Sequence, residues 1–161
     1  MASPSEFRSL GGRGEGWVAA QVALVGVIAP CEILGPRWPA SAAHVLTAAG
    51  VVVAAMGILL FLSGGFSLGR SLTPLPKPKD DASLREDGAY ALVRHPMYGG
   101  VLLAVAGWSL AASPFGLAAT ALSALFLELK SRREETWLVE RYPGYDAYRR
   151  RVRWKFVPGI R

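Results

Sequence analysis

Two short stretches of the chain gather the residue types that do chemistry. The first, Leu84–Leu103, reads LREDGAYALVRHPMYGGVLL; the second, Lys130–Leu138, reads KSRREETWL. In the first, Gly88 marks a turn and Pro96 suits the opening turn of a helix, where its missing N–H costs nothing. His95 and Tyr98 then lie three apart and can share a face. The free N–H groups of that first turn favour an anion, and Gly99 and Gly100 let another backbone or a ligand come close. In the second stretch Lys130, Glu134 and Leu138 fall on one helical stripe, with Glu135 about 100° around the axis. An imidazole, a phenol, an ammonium and a carboxylate so arranged could hold a small charged molecule. Both stretches also admit a plain reading: snorkelling Arg and His with a belt Tyr at a membrane boundary, and an ordinary charged helix end with intrahelical ion pairs.

The elements that must carry these stretches are long and apolar. No Asp, Glu, Lys or Arg occurs from Pro39 to Gly69, or from Pro96 to Leu127. Each run exceeds the roughly 20 residues that cross a hydrocarbon core. Ala48–Leu62, AAGVVVAAMGILLFL, lacks the polar stripe of a soluble helix. So small a chain has too little interior to hide such helices on all sides. The run from Pro96 is too long for one crossing and breaks at Ser113-Pro114-Phe115-Gly116, which predicts a helical hairpin. An earlier helix is expected from about Gly16 to Leu34, apolar but for Gln21, with Glu32 near an interface. The expected fold class is therefore all-α: an integral membrane protein with about four transmembrane helices and a cytoplasmic C-terminal helical tail. The division falls near residue 70, with the N-terminal tail and two helices before it and the motif-bearing region, 71–161, after it.

The basic residues alternate along the chain. Arg8 and Arg13 precede the first helix, and Arg37 alone follows it. Arg70, Lys77, Lys79, Arg85 and Arg94 fill the segment before the hairpin, and the hairpin turn has none. Ten of the eighteen lie from Lys130 onward. This bias puts both termini and the Arg70–Arg94 segment in the cytoplasm, on the same side as both chemical stretches. It also accounts for the net charge of +6 without nucleic acid as a partner. Arg149–Lys155 suits an anionic leaflet, at roughly 1 kcal/mol per basic residue near the surface. Cys31, the only cysteine, can form no intramolecular disulfide and offers too few ligands for zinc, so no metal is expected. His44 reads as an interfacial residue, and Gly11-Gly12-Arg13-Gly14 as a flexible linker.

Taken together, in this order and separation, the two stretches resemble the isoprenylcysteine carboxyl methyltransferase family and its phospholipid methyltransferase relatives. The matching pieces are Gly88-Ala89-Tyr90, Arg94–Gly99, Glu134–Leu138, Tyr142–Tyr148 and the ending Val157-Pro158-Gly159. They cover about Leu72–Arg161; the first two helices match only as generic spans. The resemblance implies S-adenosylmethionine at the cytoplasmic ends of the last two helices, with Tyr90, His95, Tyr98 and Glu134 as contacts, and backbone around Leu84, from Ser83 to Arg85, adding to them. It puts Lys130 at the substrate, where the isoprenylcysteine enzymes carry arginine. Lysine keeps the charge but loses the planar fork that grips a carboxylate.

Methyl transfer from a sulfonium asks the protein mainly to align donor and acceptor and to exclude water. No catalytic residue is assigned; His95 and Glu134 are the nearest candidates should a proton have to leave. The acceptor implied is lipid-like or isoprenoid and comes from the bilayer: an isoprenylcysteine carboxylate, with a phospholipid amine or a small thiol as alternatives. A nicotinamide-dependent enzyme like the sterol reductases and a non-catalytic membrane scaffold are the rival functions.

Overall fold

The computed structural model describes residues 11–78 and 82–160. Arg8, Lys79 and Arg161 of the charge pattern lie outside the described residues. Among those described, every regular element is helical. Helix α1 spans Glu15–Leu34, α2 Ala40–Leu68, α3 Pro96–Ala112, α4 Gly116–Arg141 and α5 Tyr145–Arg151, with short 3₁₀ turns at Gly69–Ser71 and Gly88–Ala91. α1 and α2 are each long and apolar enough to cross a membrane. Neither is a core helix, because only 11% of the most apolar 18-residue stretch of each is buried.

The tightest packing joins α2 to α3, and glycine makes it. Gly50, Gly57 and Gly64 recur every seventh residue on α2, and Gly100 and Gly107 do so on α3. A β-carbon on Gly50 or Gly57 would collide with backbone of Gly107 or of Gly100 and Ala104, and one on Gly100 or Gly107 would collide with α2 backbone in return. Such small-residue seams join helices where lipid removes the hydrophobic drive for association. The seam holds the start of α3 against α2, with Gly64 beside Pro96 and Met97.

The hairpin breaks where the proline requires it. Ser113 is extended at the end of α3, and its hydroxyl accepts a bond from the Phe115 N–H at 3.2 Å. α4 then runs for 26 residues, about 39 Å at 1.5 Å per residue, so that its charged second half extends well beyond the apolar part. The chain turns back at Tyr142 and lays α5 against that second half, burying Tyr145, Tyr148 and Val152 with Leu84, Leu138 and Tyr142 packed around them.

Two expectations are corrected. Glu32 is wholly buried, not interfacial: Ser109 donates to it at 2.6 Å, and Gly116 leaves room for its carboxylate. The reason is that α3 and α4, both rich in small residues at this end, close over it. Nor is Gly11–Gly14 a loose linker. Gly14 adopts a left-handed φ of 87° and packs on Pro76 and Trp137, while the Arg13 carbonyl accepts the Lys77 N–H at 3.3 Å.

Candidate active site

At the end of the bundle where the tail folds back lies a cavity of about 470 Å³. Pockets for small molecules run from about 300 to 1,000 Å³. Tyr90, His95, Tyr98, Leu84, Glu134 and Lys130 all line it, so every residue singled out from the sequence converges on one space. Leu138 completes the stripe expected with Lys130 and Glu134.

Each side chain is placed by local chemistry. Pro96 opens α3, which fixes His95 just before it and Tyr98 one turn in. Their rings stack, with centroids 5.4 Å apart and planes 4° from parallel. The Tyr98 hydroxyl donates to Glu134 Oε2 at 2.5 Å. On the adjacent position of α4, Glu135 turns the other way, accepting bonds at 2.9 Å from Arg94 Nε and at 3.0 Å from His95 Nε2. Burial alone would raise the Glu135 carboxyl, but the bonds from His95 and Arg94 outweigh it and hold the carboxyl at about 2. The pairing of Glu135 with Arg132 or Arg133 that its position suggests is absent. Arg132 bonds Glu128 instead, and Arg133 lies over the Trp137 ring.

The tail clamps this arrangement from outside. Arg94 N–H donates to the Trp154 carbonyl at 3.0 Å and His95 N–H to the Lys155 carbonyl at 2.8 Å. The Arg94 guanidinium adds bonds of 2.9 Å to the carbonyls of Val152 and Arg153. Gly99 is needed because a side chain there would run into the Phe156 carbonyl. The tyrosine series closes the same cavity: Tyr142 donates to the Ala82 carbonyl and Tyr148 to the Tyr90 carbonyl, each at 2.8 Å. Burial pushes the hydroxyls of Tyr90, Tyr145 and Tyr148 up, so they stay protonated donors. The Tyr145 hydroxyl is buried with no hydrogen-bond partner among the described residues.

Residues outside the motifs also reach the site. Lys130, 3% exposed, donates through Nζ to Gln21 of α1 at 2.6 Å and sits over the Tyr98 ring at 5.0 Å. Val18, Val22 and Val25 of α1 extend the same wall, giving the cavity an apolar side toward the lipid-facing helices. Gln21 was visible in the sequence only as a polar interruption of an apolar helix, and nothing local linked it to a lysine so distant in the chain. Arg94 and Glu135 stood inside the motifs, but their pairing is tertiary and left no local signal.

The sequence profile of the phospholipid methyltransferases matches residues 45–144. The chain belongs to the phospholipid methyltransferase family. The match takes in most of α2 as well as the motif region, in keeping with the glycine seam that makes α2 the support of α3. Membership implies a methyltransferase, and with the two long lipid-exposed helices it makes this phospholipid methyltransferase relative a membrane protein. No curated protein and no solved structure matches the chain.

Proposed function

We propose that the protein is an S-adenosylmethionine-dependent methyltransferase that crosses the membrane four times, with both termini in the cytoplasm, and methylates a lipid-like acceptor drawn from the bilayer. The observation that carries this reading is the convergence of Tyr90, His95, Tyr98, Glu134 and Lys130 on one cavity with an aqueous-end polar wall and an apolar α1 wall.

The residues present fit the cofactor. The cavity is of suitable size, and Tyr90, Tyr142 and Tyr148 in its lining are aromatic partners for an adenine or a cationic sulfonium. Glu134 supplies a carboxylate for ribose hydroxyls or for positive charge, and the unpartnered Tyr145 hydroxyl is a spare donor. Backbone around Leu84 adds donors and acceptors along the rim. When bound, S-adenosylmethionine supplies a methyl group already activated on its sulfonium.

The protein's own part is alignment and exclusion of water. Tyr98 and Glu134 fix one another, the Arg94–Glu135–His95 cluster fixes the start of α3, and the folded-back tyrosines cover the cavity. Lys130 donates to the neutral Gln21 amide and feels the Glu134 carboxylate, and a cation placed there can meet an anionic group on the acceptor. A carboxylate of an isoprenylcysteine type and the phosphate of a phospholipid amine both provide one. The family match favours methyl transfer over a nicotinamide-dependent reaction and over a non-catalytic scaffold.

Purified protein incubated with radiolabelled methyl donor and fractionated membrane lipids tests the reading. Label should appear in a lipid product. Mild base releases labelled methanol from a carboxyl ester and leaves an N-methyl amine intact, which separates the two acceptor types. No transfer to any fraction, with the cofactor bound, would leave a scaffold as the function.

A further inference from the structure

The tail carries a second concave feature, which adjoins the first cavity at Arg94. Arg94, Glu128, Arg149, Arg150, Arg153 and Lys155 line it. Five cations thus face one another across a groove that holds a single carboxylate. That carboxylate, Glu128, is already committed, bonding Lys155 at 2.9 Å and Arg132 at 2.6 Å. Arg149 bonds Asp146, and Arg94 bonds Glu135. Arg150 and Arg153 are exposed and have no side-chain partner among the described residues.

The depth of the groove is fixed by the sequence of α4. Glu128 is the first charge after the long apolar run, so it marks where α4 leaves the hydrocarbon. Earlier on the same helix, on the hydrocarbon side of Glu128, Leu122 and Leu125 are 48% and 57% exposed. Beside the groove, Trp154 is 42% exposed, as suits an indole in the headgroup layer. A phosphate held by Arg150 and Arg153 would therefore have an apolar stripe leading away from it into the bilayer.

We propose that this groove is a binding site for the phosphate of an anionic phospholipid, with the acyl chains lying along Leu122 and Leu125. It shares only Arg94 with the cofactor cavity and does not depend on the acceptor. Its floor is Arg94, whose guanidinium ties Glu135 to the carbonyls of Val152 and Arg153, so the same tail that covers the cofactor cavity is pinned to the membrane surface by this lipid. Diffuse attraction of a basic tail to a charged leaflet requires no such groove and is the alternative to be broken.

The test is calorimetric titration of the full chain in a zwitterionic detergent with short-chain phosphatidylglycerol, short-chain phosphatidylcholine and inorganic phosphate. Phosphatidylglycerol should bind at least about tenfold more tightly than phosphatidylcholine. Inorganic phosphate should bind at least about tenfold more weakly than phosphatidylglycerol, because it lacks the chains. Arg150→Gln with Arg153→Gln should abolish the preference. Arg13→Gln with Lys77→Gln, which removes the same charge elsewhere on the chain, should keep it. Equal losses in the two double variants would overturn the site in favour of diffuse attraction. Phosphate binding as tightly as the lipid would overturn the lipid as its occupant. Both double variants alter exposed side chains, and helical circular dichroism confirms that each is folded.

Discussion

The bundle buries polar groups at both of its ends, and the two clusters differ in what surrounds them. At the hairpin-turn end, Glu32 is fully enclosed: Ser109 donates to it, and Ser109 is in turn within 3.1 Å of Thr120 and 2.9 Å of the Gly116 carbonyl. Arg37 closes that end by donating to the Ala112 and Ile33 carbonyls. Small side chains fill the space, and none of these residues lines the tail-end cavity. At the tail end, His95, Glu134, Glu135 and Lys130 are also largely buried, but His95, Glu134 and Lys130 border open volume, and Lys130 and Tyr145 keep donor capacity unspent among the described residues. A buried carboxylate therefore does not by itself mark a site. Nor does unspent polar capacity alone, since Glu32 Oε2 also lacks a hydrogen-bond partner among the described residues; what marks the site is such capacity beside a space that a ligand can enter.

The sharpest way to break this contrast is to remove the tail from Tyr142 onward. That strips Tyr142, Tyr145 and Tyr148 from the cavity and the backbone clasp from Arg94 and His95 together. Cofactor affinity should fall roughly a hundredfold or more, about 2.7 kcal/mol, while helical circular dichroism shows the long helices intact. Unchanged affinity would leave the tail as a membrane anchor only.

Glu32→Ala should do the converse. It opens a void and takes from Ser109 its carboxylate partner, so the thermal midpoint should drop by the equivalent of about 2 kcal/mol or more, with cofactor affinity held within about twofold. A matching loss of affinity would join the two ends into one functional unit. Glu135→Gln falls between them. It leaves Arg94 and His95 without their carboxylate, so it should lower the thermal midpoint more than Glu134→Gln does, yet weaken the cofactor less.

The smallest effect is with pH. The ordinary carboxyl titrates near 4.3, roughly, and Glu135 is held at about 2. A depressed value contributes stability that is whole above the unfolded range and is lost as pH falls toward the folded one. Amide exchange of the tail residues paired to Arg94 and His95 should stay slow down to about pH 4.3 and quicken between there and about 2. In Glu135→Gln that acid-dependent step should be missing.

How much of this was legible follows from the range of each interaction. Apolar composition predicts α1 to α3 closely, with Pro96 and Ser113-Pro114 as punctuation, whereas the charge-free run marks only the first part of α4, which continues through charged residues to Arg141. The shared face of His95 and Tyr98, and the Lys130–Glu134–Leu138 stripe, follow from helical periodicity. The Glu135 clasp, the Gln21–Lys130 bond and the burial of Glu32 join residues far apart in the chain, and no local pattern encodes them. The glycine seam lies between. Its sevenfold spacing on α2 and α3 is present in the sequence, but only the structure shows that the two series face each other.

The central claim is that the tail-end cavity, and not the hairpin-turn cluster, holds S-adenosylmethionine through Glu134. Calorimetry of the cofactor against the purified wild-type protein, Glu134→Gln and Glu32→Gln tests it in one series. A charged hydrogen bond is worth about 1.5–3 kcal/mol, so Glu134→Gln should weaken binding about tenfold or more. Glu32→Gln, a change of the same kind in the other buried cluster, should leave it within about twofold of wild type. No binding to the wild type, or equal losses in the two variants, would contradict the assignment.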